Sequence, residues 1–333
     1  MGTIKVLRRS VSKFLQGYHY FTIIPTICIL PFSTTLLLSQ AHLLLFPSSH
    51  PLPWFLDRLA TLFEVAGLPT SSGPFSVLLL KISETVASFV RTLPFTFTFL
   101  LLGKSLALLF LSRSKPSASS LALMYAAIVR TYVCGLMAIL SANATAFFVL
   151  FLVFDCINGL GISSPGYSTS LLFLGVIVYS TILSYTVVVC NLSLTVSGIE
   201  KRGGFMVILK TCFLTRKREL TALSLAVPIN LLRAATEALF QYRVVTTYQQ
   251  NGRFSLAMVS EGCFIAYWYS VFIVLDVVIS HTFLKSRRFE EEDNDACCDE
   301  NDEKISPELF KLYINTCCHV GINRRLRKPL SDL

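Results

Sequence analysis

Acidic side chains are almost missing from the first 289 residues of this chain, which hold nine Asp and Glu, while nine more crowd between Glu290 and Glu303. Charge of either sign is also scarce, at 15% of the 333 residues against about 25% in an ordinary soluble domain. A water-soluble core of this length needs a charged shell, and the residues to build one are absent. The composition that remains is that of a polytopic membrane domain with a soluble tail.

The motifs of common chemistry are lacking too. There is no Gly-x-Ser-x-Gly elbow, no His-Glu-x-x-His, no phosphate loop and no dinucleotide fingerprint. No enzyme activity and no cofactor are therefore expected. Cys28, Cys134, Cys156, Cys190 and Cys263 lie within apolar runs and the other cysteines in segments expected on the reducing side, so no disulfide framework is expected. Cys297-Cys298 and Cys317-Cys318-His319 lack the intervening residues of structural zinc pairs, and no metal site is assigned. The net charge of +9 would suit nucleic acid, but the cations sit at the ends of apolar runs, where orientation signals belong. A nucleic-acid partner is excluded on that ground.

What the sequence does hold is long apolar runs. A membrane span needs roughly 20 mostly apolar residues, because the hydrocarbon core is about 30 Å thick and a helix rises 1.5 Å per residue. Six stretches meet this, at about 21–46, 92–112, 132–157, 170–196, 220–240 and 260–284. Lipid offers backbone groups no partners, so these are expected as helices. The fold class is all-α: a polytopic membrane helix bundle of about six spans with cytoplasmic interfacial helices. Pro25 and Pro31 are expected to kink the first span.

Charge then orients the bundle. Four basic residues lie in the N-terminal segment 1–20, Arg113 and Lys115 in the next link on that side, and six in the link at 197–219. Lys285, Arg287 and Arg288 follow the last span, whereas the opposite links carry fewer, among them Arg58, Arg243 and Arg253. By the positive-inside bias both termini are cytoplasmic, in either the endoplasmic reticulum or the plasma membrane. Residues 285–333 read as a largely disordered tail, acidic and then basic. Trp54, Phe55, Leu59, Leu62 and Phe63 within 47–74 suit a short helix in the outer interface.

The island "SGIEKRGGFMVILKTCFLTRKREL" at 197–220 sets Lys201, Arg202, Lys210, Arg216, Lys217 and Arg218 against Glu200 and Glu219. Phe205, Ile208, Leu209, Cys212 and Phe213 recur at helical spacing. The pattern predicts an amphipathic helix at the cytoplasmic interface, its aromatic face in the acyl boundary and its cations on anionic headgroups. A protein partner docking on the same face is the other expectation. Residues 119–131, "SSLALMYAAIVRT", carry a serine cap signal and end near Arg130, and predict a second interfacial helix forming a collar with the first.

The runs "TIIPTICILPFSTTLL", "FTFLLLGKSLALLFLSRSKP" and "VVVCNLSLTVSGIEKRGGFMVILKTCFLTRKRELTAL" resemble a plant family of multi-pass membrane proteins of unknown function. In that family a small-apolar run is followed by an acidic residue, a glycine four places on, and a basic-hydroxyl pair. Glu200, Gly204, Lys210 and Thr211 keep that order here. The resemblance implies six helices and a membrane location, and brings no catalytic residues. The acidic tail with its paired cysteines lies outside it.

Ionisable residues within spans are costly and mark candidate sites. Arg233 and Glu237 are four apart, on one helical face and able to pair. Lys104 lies midway along the second span and Asp276 in the inner half of the sixth. Facing one another, these four would make a polar seam between the helices. The expected function is non-enzymatic organisation of lipid or partner proteins through the basic helix and tail. The alternative is a transporter or channel using the seam for a small solute.

Overall fold

The computed structural model describes residues 3–45, 57–58, 60–61, 86–112, 117–159, 165–216, 219–252 and 255–298. The regular elements among them are helices: α1 (Thr3–Gln16), α2 (Tyr18–Leu45), α3 (Val86–Leu111), α4 (Ala118–Gly159), α5 (Pro165–Glu200), α6 (Phe205–Arg216), α7 (Glu219–Phe240) and α8 (Leu256–Cys298). α7 runs on through a π-helical turn at Gln241–Val245 into Thr246–Asn251. Six of these, α2, α3, α4, α5, α7 with its extension, and α8, are long and apolar enough to cross a membrane. The segment at 47–74, apart from four positions, and the tail beyond Cys298 lie outside the described residues.

α8 is the hub. From Val277 to Leu284 every residue is buried, the mark of a helix surrounded on all sides. One core cluster joins α8 (Val274, Val278) to Phe21 and Ile29 of α2, Leu101 and Leu108 of α3, and Ile128 of α4. A second joins Ile279 and Phe283 to Leu192 of α5, Val207 of α6, Leu225 and Ile229 of α7, and Val6 of α1. A third, at the other end, joins Ile265 and Ala266 to Leu37 of α2 and to Phe240 and Val245. The described residues 3–287 form one compact unit around these clusters.

Pro25 is accommodated by a neighbouring hydroxyl. Pro25 has no N–H to give the Phe21 carbonyl, and the Thr26 hydroxyl donates to that carbonyl instead, at 2.8 Å. α2 runs on through both Pro25 and Pro31. In α3 a π-helical turn at Thr96–Leu100 follows Pro94. Tyr125 of α4 donates to the Phe97 carbonyl at 2.7 Å, and the Cys28 thiol lies 3.7 Å from that of Phe99. Cross-helix donors thus serve the carbonyls of the irregular turn.

Two local readings of the sequence change. Residues 119–131 are not a separate helix: they are the first turns of α4, continuous with its apolar stretch. Nothing there breaks a helix, since no proline intervenes and Arg130 points outward. The element that does lie across the basic end of the bundle is α1. Its Val6, Ser10 and Phe14, spaced by four, are buried against the other helices. Toward the opposite end α4 and α5 part around an apolar groove of about 260 Å³ lined by Ala142, Val149, Val178 and Ile182.

Candidate functional site

The link between α5 and α6 folds by backbone rules. Lys201 ends α5 in the left-handed region (φ 53°), where Gly is the usual occupant. Gly204 has φ 119°, accessible only to glycine without strain. A Cβ on Gly203 would fall onto the Ala127 carbonyl, so the turn lies backbone to backbone on α4. The Thr131 hydroxyl donates to the Ala127 carbonyl at 3.0 Å and accepts the Gly204 N–H at 3.1 Å. Lys201 reaches Ser120 at 2.9 Å.

α6 is thereby seated with one arc on the bundle and another turned out. Val207, Ile208, Thr211 and Thr215 are buried. The two threonine hydroxyls are satisfied on Val207 and Thr211 carbonyls at 2.8 Å each. The outward arc carries Phe205, Met206 and Phe213, 55–69% exposed, beside Lys210 and Arg216. Of the apolar stripe expected from spacing, Ile208 is thus core, Leu209 and Cys212 are half-buried, and the two phenylalanines face out. Met206, which that stripe omitted, joins them because the buried arc is centred elsewhere on the helix.

The cations of the island divide. Lys210 pairs with Glu200 at 2.6 Å, so the acidic and basic positions named for the family resemblance form one ion pair across the turn. Arg202 and Arg216 are exposed. Lys217 and Arg218 lie outside the described residues. Buried Arg287, from the end of the sixth span, donates to the Leu214 carbonyl at 3.0 Å and so caps the C-terminal turn of α6.

α1 shows the same division more sharply. Val6, Ser10 and Phe14 are buried, and Ile4, Val11 and Leu15 are exposed on the adjoining arc. Lys5, Arg8, Arg9 and Ser12 fill the remaining arc. Three sectors, one packed, one apolar and one cationic, are what a helix lying between protein, acyl chains and water requires. Periodicity could have found it, but Ser10 interrupts the apolar spacing and the short segment read as an orientation signal. Its hydroxyl donates to the Val6 carbonyl at 2.9 Å, which allows burial.

Within the spans the four ionisable residues come close together. Arg233 Nη2 donates to the Tyr269 hydroxyl at 3.3 Å, and that hydroxyl donates to Glu237 Oε1 at 2.9 Å. The guanidinium carbon stands 5.3 Å from the Tyr269 ring centre. Gln40 of α2 approaches the other Glu237 oxygen at 3.4 Å. The expected Arg233–Glu237 pair is thus made through a phenol. Lys104 is within electrostatic reach of Asp276 and Arg233. Asp276 also lines a cavity of about 30 Å³ with Asn191, Asn230 and Ser280, room for one or two waters. Tyr269 and Gln40 were missed as site residues because an aromatic or an amide in a span carries no charge signal of its own.

Comparison with known proteins gives a family without an activity. No curated protein and no solved structure matches the chain significantly. A family described as "Domain of unknown function (DUF8558)" matches residues 119–299, from the start of α4 through the end of α8. The match takes in α6 and three of the four intramembrane ionisable residues, and leaves α1, Gln40 and Lys104 outside. With more than half of its length covered, the chain belongs to this family of unknown function.

Proposed function

We propose that this protein is a non-enzymatic organiser of anionic lipid at the cytoplasmic face of its membrane, with α6 and α1 as the contacting elements. The observation that carries the reading is the outward arc of α6: Phe205, Met206 and Phe213 exposed beside Arg216 on a helix whose other arc is core. Large apolar side chains and cations on one exposed arc suit the boundary between acyl chains and charged headgroups. The excess of basic residues in the links at this end supports placing it, and both termini, in the cytosol. Each cation near an anionic surface contributes about 1 kcal/mol. Lys210, already held by Glu200, contributes less than Arg216.

The test is lipid composition. The full chain, extracted from membranes of mixed phosphatidylcholine and phosphatidylserine, should retain phosphatidylserine enriched over the bulk. The combined change Phe213→Ser, Arg216→Gln should remove most of that enrichment while the protein stays folded. Retained lipid of bulk composition would refute the reading.

A second reading, a path for a small solute, is favoured by the polar groups aligned through the bundle. Gln40, Glu237, Tyr269 and Arg233 are linked by hydrogen bonds, and Asp276 opens on the cavity beyond. Water-soluble thiol reagents should label Arg233→Cys or Glu237→Cys if this path is wet. A closed bundle leaves both unlabelled.

A further inference from the structure

Hydroxyls within the spans are as a rule satisfied inside the bundle. Thr22, Thr26 and Thr34 donate to carbonyls of their own helix, Ser39 bonds Ser88, and Ser270 bonds Ser33. Four side chains depart from that rule. Asn191 of α5, Asn230 of α7, and Asp276 and Ser280 of α8 share no side-chain hydrogen bond with the described residues. Lipid offers such groups nothing in exchange. All four line one cavity of about 30 Å³.

Their convergence follows from helical spacing. Asp276 and Ser280 are four apart, on one face of α8. Asn230 continues the row of Ala222 and Ala226 on α7, and Asn191 shares its face of α5 with Val188. Asn191 stands nine residues before Glu200, and Asp276 nine before Lys285. That is about 14 Å along each helix from the basic end, so amide and carboxylate share one depth. Ser280 is buried, Asn191 and Asp276 are half-buried, and Asn230 is exposed at the open side. Lys104 and Arg233 are both within electrostatic reach of Asp276. Arg233 is held on the Tyr269 hydroxyl, whereas Lys104 is hydrogen-bonded to none of the described residues.

We propose that Asp276, with Asn191, Asn230 and Ser280, binds a dehydrated alkali cation, sodium or potassium. A carboxylate, two amide oxygens and a hydroxyl make an all-oxygen set, which suits a hard cation. Transition metals favour imidazole or thiolate, and neither lines the cavity. One carboxylate supplies a single negative charge, which matches a monovalent ion better than magnesium or calcium. Room for one or two waters is also room for one ion stripped of its shell. The positive charge of Lys104 opposes the ion and so weakens its binding. The site goes beyond both readings above: an ion is held there with or without a continuous path, and with or without lipid on α6.

The experiment follows thermal unfolding of the purified full chain in detergent as sodium or potassium chloride replaces choline chloride at constant ionic strength. A saturable rise in Tm is expected, because an ion that binds only the folded state stabilises it. Asp276→Asn should abolish the rise, and Asn230→Leu, at the exposed side of the cavity, should weaken the apparent affinity about tenfold. Lys104→Met should tighten it about tenfold, and Arg216→Gln on α6 should leave it unchanged. A rise with one alkali ion supports the site and names the ion; a rise with both supports it without selectivity. Identical unfolding in choline, sodium and potassium overturns the proposal. So does a rise that survives in both Asp276→Asn and Asn230→Leu, or one produced only by magnesium or calcium.

Discussion

The charges at mid-depth and those at the basic end of the bundle are treated in opposite ways. Arg233 and Glu237 are bridged by Tyr269, with Gln40 on the remaining carboxylate oxygen. At the basic end, Arg9, Arg202 and Arg216 stand exposed, with exposed apolar side chains on α1 and α6 beside them. In lipid an unsatisfied charge is costly, so the first arrangement reads as a tie between α2, α7 and α8. The second suits the boundary between acyl chains and charged headgroups. The difference teaches where to look for function: charge bonded within the spans holds the bundle, and exposed charge beside exposed apolar side chains meets the surroundings.

Four substitutions sharpen or break this contrast. Glu237→Ala leaves Tyr269 and Gln40 without their acceptor and the Arg233 charge without its nearby carboxylate, and should destabilise by about 3–5 kcal/mol, read by denaturant titration in micelles. A cost below about 1 kcal/mol would show that the mid-depth cluster ties nothing. Tyr269→Phe removes only the bridging hydroxyl and should cost about 1–3 kcal/mol in the same titration. Thr131→Val loses the clamp on the Gly204 N–H and the Ala127 carbonyl. About 1 kcal/mol is expected, together with faster proteolysis of the 201–204 turn. At the other extreme, Arg216→Gln on the exposed arc of α6 should change stability by no more than about 0.5 kcal/mol, in thermal melts. A large loss there would make the basic end structural as well.

The fold was legible wherever it depended on apolar length. Each of the six spanning helices overlaps a run that stands out in the sequence, because lipid imposes one requirement along the whole segment. What stayed hidden depended on partners distant in sequence. Arg233 and Glu237 announce each other by their spacing, yet Tyr269 stands 32 residues from Glu237 and Gln40 stands 197 away. α1 was hidden by Ser10, a polar residue whose burial depends on a bond to its own helix. The break expected after Arg130 failed for the converse reason: a charged residue ends a helix only if it must be buried, and Arg130 faces out. The island at 197–220 was legible as a helix with cations, but its rotation on the bundle, which exposes Met206 and buries Thr211, was not.

The most direct measurement asks at what depth α6 lies. Phe213→Trp, with Trp54 and Trp268 replaced by Phe, places one fluorophore on its outward arc in reconstituted vesicles. The account predicts strong quenching by lipids brominated near the headgroup, weaker quenching by deeply brominated lipids, and little by aqueous iodide. Efficient quenching by iodide with none from brominated lipid would place α6 in water and contradict the claim that this end of the protein works on the membrane surface.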